Sequence, residues 1–240
     1  MNFKKVKRYS VLGILFFLPV TFLLFLYPAT HNYTPLDIVN EDVLDLDQFT
    51  SDSNEIILLK DHITVLGFLG KKPLENVIAA SNLKELVYDK FKGFKKFQTV
   101  LIVPEGTQNE VAELKQEIIS YEDLRFWHFL YGEPSTIERL YNSLKSGGKL
   151  NADLATNAVF IIDKDLNQRG RIDDRTDNDI ENNRTVYGLS SYDCIEVAEI
   201  KNKMSEDIRI LFTEYRQKRK GNFDSTTRRA NDINTENEKN

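Results

Sequence analysis

The chain has 240 residues, a formal net charge of −5 and one cysteine. Lys4, Lys5, Lys7 and Arg8 stand in the first thirty residues without any acid, so the rest carries 28 basic against 37 acidic side chains, a charge of −9. An acidic body with no basic stripe excludes nucleic-acid binding of the kind that neutralises phosphates with Lys and Arg, and a lone cysteine excludes an intramolecular disulfide.

Val11–Leu26 is an apolar run interrupted only by Gly13, Pro19 and Thr21, with Tyr9 and Tyr27 at its ends. Roughly 18 to 20 such residues cross a hydrocarbon core, and the basic cluster before the run keeps the N-terminus cytoplasmic by the positive-inside rule. A cleavable signal peptide is the competing reading; its apolar core is usually about 7 to 15 residues and ends in a small-x-small site, which Tyr27-Pro28-Ala29-Thr30-His31 does not supply. The organisation expected is a cytoplasmic segment 1–8, an anchor 9–27, a stalk 28–53, a domain 54–218 and a solvated tail 219–240. That places the protein in the inner membrane, single-pass, with its C-terminal domain exported to the periplasm.

Within the domain a short strand is expected at Glu55–Leu59. Ile63–Leu69 is apolar on both faces, as in a central strand covered on each side. Gly70–Glu75 turns into a helix that Pro73 opens, with Leu74, Val77, Ile78, Leu83, Leu86, Val87, Phe91 and Phe94 at helical spacing. Thr99–Val103 is the next strand, and Val111, Leu114 and Ile118 mark a helix face. Leu124–Tyr131 and the helix marked by Ile137, Leu140, Tyr141 and Leu144 repeat the pattern. Ala158–Ile162 then meets a hairpin turn, Asp163–Asn167, leading into Arg169–Ile172. Val197, Ile200, Met204, Ile208, Leu211 and Tyr215 line a last amphipathic helix. Alternating strands and helices with one hairpin predict an α/β fold with a central mixed sheet.

Three stretches in order, Val65-Leu66-Gly67-Phe68-Leu69, Trp127-His128-Phe129-Leu130-Tyr131-Gly132 and Val159-Phe160-Ile161-Ile162-Asp163-Lys164-Asp165, resemble the Sco/SenC family. Its members are membrane-anchored thioredoxin-like proteins that act as copper chaperones or thiol reductants in cytochrome oxidase assembly. The resemblance implies a thioredoxin-like fold behind one transmembrane helix. It also implies a site of two cysteines separated by three residues on the first strand-to-helix turn, with a histidine just before the penultimate strand. In this chain those positions fall at Lys71 and Glu75 and around Ala155–Asn157, and no histidine follows His128. Copper(I) takes soft thiolate ligands and thiol exchange takes two sulfurs. The expectation is therefore a degenerate member with no metal, copper included, no cofactor and no catalysis, acting on a protein partner at the membrane.

The candidate partner or anion contact is the rim Gly70, Lys71 and Lys72 at a helix N-terminus, with Trp127 as a second edge. A small-anion site at those lysines is an alternative. So is a redox enzyme or sensor using Cys194, which the neighbouring Asp193 and Glu196 would hold as the thiol. Asp173, Asp174, Asp177, Asp179 and Glu181 crowd one loop, but Asn182 and Gly188 stand where a calcium loop has its glycine and bidentate glutamate. His62 and His128 read as structural.

Overall fold

The computed structural model describes residues 3–26, 35–53, 55–118 and 124–219, and the chain divides into two units, Met1–Thr34 and Pro35–Asn240. In the first unit α1 (Phe3–Leu26) runs for 24 residues with Pro19 inside it. The Thr21 hydroxyl donates to the carbonyls of Phe17 and Leu18, both at 3.0 Å, which satisfies a polar group within an apolar run. Among the described residues no helix is long and apolar enough to cross a membrane. The end of the expected anchor at Tyr27, the segment 28–34 and the tail from 220 onward lie outside the described residues.

The second unit is built on a mixed sheet. Its strands are β1 (Asp37–Asn40), β2 (Thr50–Ser51), β3 (Ile63–Leu69), β4 (Phe97–Pro104), β5 (Trp127–Gly132), β6 (Ala155–Ile162) and β7 (Gln168–Gly170), in the order β1-β7-β6-β3-β4-β5-β2, with β8 (Tyr192–Asp193) paired to β6. β3, β4 and β5 are parallel neighbours. β6 lies antiparallel on the other side of β3, and β7 antiparallel to β6. A helical run at 73–91, here α2, joins β3 to β4; α3 (Gln108–Ile118) and α4 (Pro134–Asn142) bracket β5. α5 (Asp177–Glu181) is a short loop helix, and a final run at 199–219, here α6, closes the chain. A central strand, a parallel neighbour reached through a helix, an antiparallel hairpin and a closing helix make up the expected thioredoxin-like arrangement.

Alternation along β3 divides the core. Ile63, Val65 and Leu69 face a cluster with Leu83 and Val87 of α2, Val111 and Leu114 of α3, and Ile200, Met204, Ile208 and Leu211 of α6. Leu66 and Phe68 face the other way, against Ile137, Leu140 and Tyr141 of α4. Gly67 keeps the first face thin, because a Cβ there would meet Leu101 Cδ2 at 2.9 Å.

Residues 35–53, expected as stalk, belong to this unit instead. α4 has nine residues and leaves part of its face open, and Val43 and Leu46, each 1% exposed, help to cover it. β1 pairs with β7 and β2 with β5, extending both edges of the sheet. Asp45 fixes the crossing: its carboxylate accepts from the N–H groups of Leu46 at 2.8 Å and Leu59 at 2.6 Å. The strand expected at Glu55–Leu59 does not form. That stretch is irregular, with the Leu58 carbonyl taken by the Gln98 side chain at 2.8 Å and Leu59 fully buried.

Candidate functional site

β3 delivers the chain to the rim at Leu69, and Gly70 turns it with φ +70°, a conformation that glycine adopts without steric cost. A Cβ at Gly70 would lie 2.3 Å from the Asp153 carbonyl oxygen and 2.8 Å from both the nitrogen and Cβ of Ala155. The turn thus rests directly on the 151–155 loop. That loop is set by Asn151, whose side-chain oxygen accepts from the N–H groups of Asp153 and Ala155, both at 2.9 Å, and by Leu154 at φ +62°.

The lysines are engaged locally. The Lys71 backbone N–H donates to the Asp153 carbonyl at 2.7 Å, and its ammonium donates to the Ala152 carbonyl at 3.0 Å. Lys72 pairs with Glu75 at 3.1 Å, both well exposed, a contact that holds the Lys72 ammonium pKa above its ordinary value. Asn76 donates to the Leu69 carbonyl at 2.8 Å, and Pro73 opens α2 where its missing N–H costs nothing.

Lys71 and Ala155, two of the positions that the family resemblance marks, are therefore neighbours, with Leu69 paired to Ala155 across the sheet. Asn157 is exposed two residues further along β6, and its carbonyl accepts the Cys194 N–H at 2.8 Å. Glu75 lies exposed in the first turn of α2. At these positions stand an ammonium, backbone carbonyls and a methyl group. The ammonium and the carbonyls hydrogen-bond to each other or to the backbone, and none of these groups contains sulfur. Among the described residues no three His, Cys, Asp or Glu side chains converge as for a metal.

Cys194 is 2% exposed in the core facing α2 and α6, and Asn82 donates to its carbonyl at 2.9 Å. Burial first, then the Asp193 carboxylate, pushes its thiol up to about 12. At pH 7 about one molecule in 10⁵ holds the nucleophilic thiolate. A maleimide added at pH 7.5 is expected to leave the native protein unmodified and to add one equivalent in denaturant. Fast labelling of the native protein would show the thiol to be accessible.

Trp127 does not join the rim. It sits at the start of β5, opposite Thr99 of β4, whereas Gly70 follows the far end of β3. Its ring is 5% exposed and meets Tyr88 edge-on at 5.6 Å. The signal read as an exposed aromatic edge is core packing beneath α2.

In the acidic loop Asp174 and Asp179 are buried, while Asp173, Asp177 and Glu181 are exposed. Asp174 accepts from Arg171 at 2.9 Å and from Lys203, and Asp173 pairs with Arg175 at 2.7 Å. Asp179 completes a capping box with Thr176 at the start of α5 and accepts from Tyr187 at 2.9 Å. These bonds, that from Thr176 foremost, hold its carboxyl down at about 2. His128 is partly buried, and burial lowers its pKa; the His62 Nδ1 lies 3.1 Å from the Lys60 carbonyl oxygen.

No family model and no curated protein matches the chain. Solved structures similar to it include BsSco, a member of the Sco family of cytochrome c oxidase assembly proteins, at 13% identity over 74% of this chain and 98% of that one, with a TM-score of 0.47. Arabidopsis thaliana ScoI with copper bound is similar at 17% identity over 67% and 94%, TM-score 0.39. The soluble domain of Sco1 from Bacillus subtilis is similar at 13% identity over 72% and 91%, TM-score 0.43.

Proposed function

We propose that the protein is a membrane-anchored, non-catalytic thioredoxin-like protein of Sco/SenC type that works by binding a protein partner during assembly of a membrane complex. The observation that carries this reading is the rim itself. The turn after the central strand is locked by backbone contact to 151–155, its lysines hold local partners, and no sulfur or imidazole stands there. A site so arranged presents a fixed surface of hydrogen-bonding groups in place of a reactive centre. The apolar run Val11–Leu26 and the basic cluster before it support a single-pass anchor in the inner membrane with the domain exported. The partner class, a cytochrome oxidase subunit or assembly factor, follows the resemblance to the Sco proteins and is analogy, since fold does not fix function.

Crosslinking of the full-length protein in its own membranes, followed by mass spectrometry, tests the reading. Recovery of oxidase subunits or their assembly factors, reduced at least fivefold by Lys71→Glu together with Glu75→Lys, is expected. Recovery of unrelated envelope proteins that these changes do not affect would overturn both the partner class and the rim.

A further inference from the structure

The lysines that the sequence singles out for an anion are occupied, but another set is gathered at the opposite end of the sheet. A cleft of about 600 Å³ opens between the loop before β4, the β6–β7 hairpin and the end of α6, a volume within the range of small-molecule sites. Lys95, Lys96, Lys164, Arg216, Lys218 and Arg219 line it together with Phe94, Phe212 and Tyr215, and no carboxylate is among the lining side chains. In a domain with an acidic excess this is a local inversion of charge. The cations come from three segments, 93–96, 164 and 212–219, which the fold brings together.

The geometry holds the cations together. The ammonium groups of Lys164 and Lys218 each lie 4.8 Å from the centre of the Tyr215 ring, hence within about 10 Å of each other across a shared cation–π contact. Burial, then Lys96 and Arg219, lower the pKa of Lys164, against the smaller opposing pull of Asp61 and Asp165. Like charges pressed together in a partly dehydrated cleft are relieved by an anion. Lys218 also pairs with Glu214 at 3.2 Å. Beside the cations, Phe94 and Phe212 stack with centroids 4.3 Å apart, and Phe94 is 40% exposed. Cations and an exposed aromatic surface suit a ligand with a charged head and an apolar or flat group.

We propose that this cleft binds a phosphate-bearing anion that carries an apolar moiety. Two sources share that chemistry, an anionic phospholipid headgroup and a soluble phosphorylated compound. The test is calorimetric titration of the full-length protein in neutral detergent with two probes, dihexanoylphosphatidylglycerol and adenosine diphosphate, and with dihexanoylphosphatidylcholine as the zwitterionic control. Saturable binding of one anionic probe is expected, and the probe that binds identifies the source. Lys96→Glu with Lys164→Glu is expected to weaken it at least tenfold. Lys145→Glu with Lys149→Glu, on the loop after α4, makes the same change in net charge and is expected to leave it unchanged. Should the first pair fail to fold, Lys96→Gln with Arg216→Gln removes two exposed charges and is expected to weaken binding at least threefold. Absence of binding by both anionic probes, equal binding of the zwitterionic lipid, or equal loss in the two charge-reversed pairs would overturn the proposal.

Discussion

Replacing Arg169 with methionine is expected to cost about 3–5 kcal/mol of unfolding free energy, the range for removing one partner from a buried ion cluster. The guanidinium is 2% exposed and donates to Asp163 at 2.9 Å, to Glu214 at 2.5 Å and to the Leu36 carbonyl at 2.6 Å. Its removal takes the shared guanidinium from two carboxylates, 1% and 3% exposed, of which Glu214 keeps its pair with Lys218 at 3.2 Å. The other Asp163 oxygen accepts the N–H groups of Asp165 and Asn167 at 2.9 and 3.0 Å, which ties the orphaned carboxylate to the hairpin turn. Adding Asp163→Asn and Glu214→Gln neutralises the orphaned charges while keeping accepting oxygens. This triple variant is expected to recover to within about 2 kcal/mol of wild type, because a neutral replacement of a buried cluster is tolerated far better than half of one. Urea denaturation checks both; a single-variant loss below about 1 kcal/mol would contradict the account. The cluster joins the hairpin, the residue after Pro35 and α6, so it fixes the N-terminal segment to the domain.

Gly70→Ala is expected to cost about 2–4 kcal/mol, combining a left-handed backbone with overpacking against main chain. The new Cβ would stand 2.3 Å from the Asp153 carbonyl oxygen, and backbone held by its own hydrogen bonds yields little. Two other glycines separate the contributions. Gly106 has φ +90° with nothing within 4 Å of a Cβ, and Gly147 has open space and no such φ. Alanine is expected to cost about 1 kcal/mol at Gly106 and less than about 0.5 kcal/mol at Gly147. Denaturation midpoints in any other order would show that the rim is looser than its contacts indicate.

The sequence made some elements legible and hid others for physical reasons. Ile63–Leu69 and Thr99–Val103, the latter the centre of the observed strand Phe97–Pro104, were readable because both faces are buried. The last helix was readable from Ile200, Met204, Ile208 and Leu211, all fully buried on one side. The segment at 35–53 was not, because Leu36, Val43 and Leu46 are few and scattered among acids. Their burial is decided by an open sheet face that only the folded chain presents. The turn at Gly70 was placed correctly, and its neighbourhood with Ala155 follows from pairing β6 beside β3. That Lys71 and Lys72 would be tied to Ala152 and Glu75 depends on the 151–155 loop, which local pattern does not reveal. Trp127 was misplaced because an aromatic at a strand start reads alike whether α2 covers it or not. The basic cleft was invisible for the converse reason, since its cations are more than a hundred residues apart between Lys95 and Lys218.

On the proposed reading the rim is a fixed binding surface and not a soft-metal or thiol site. Titration of the full-length protein with copper(I) against a competing chelator tests it most directly. The account predicts that the competitor retains all the copper, because the rim offers Lys71, carbonyls and Glu75 to a metal that selects thiolates, and the one thiol is buried. One equivalent of copper(I) withdrawn tightly from the competitor would contradict it.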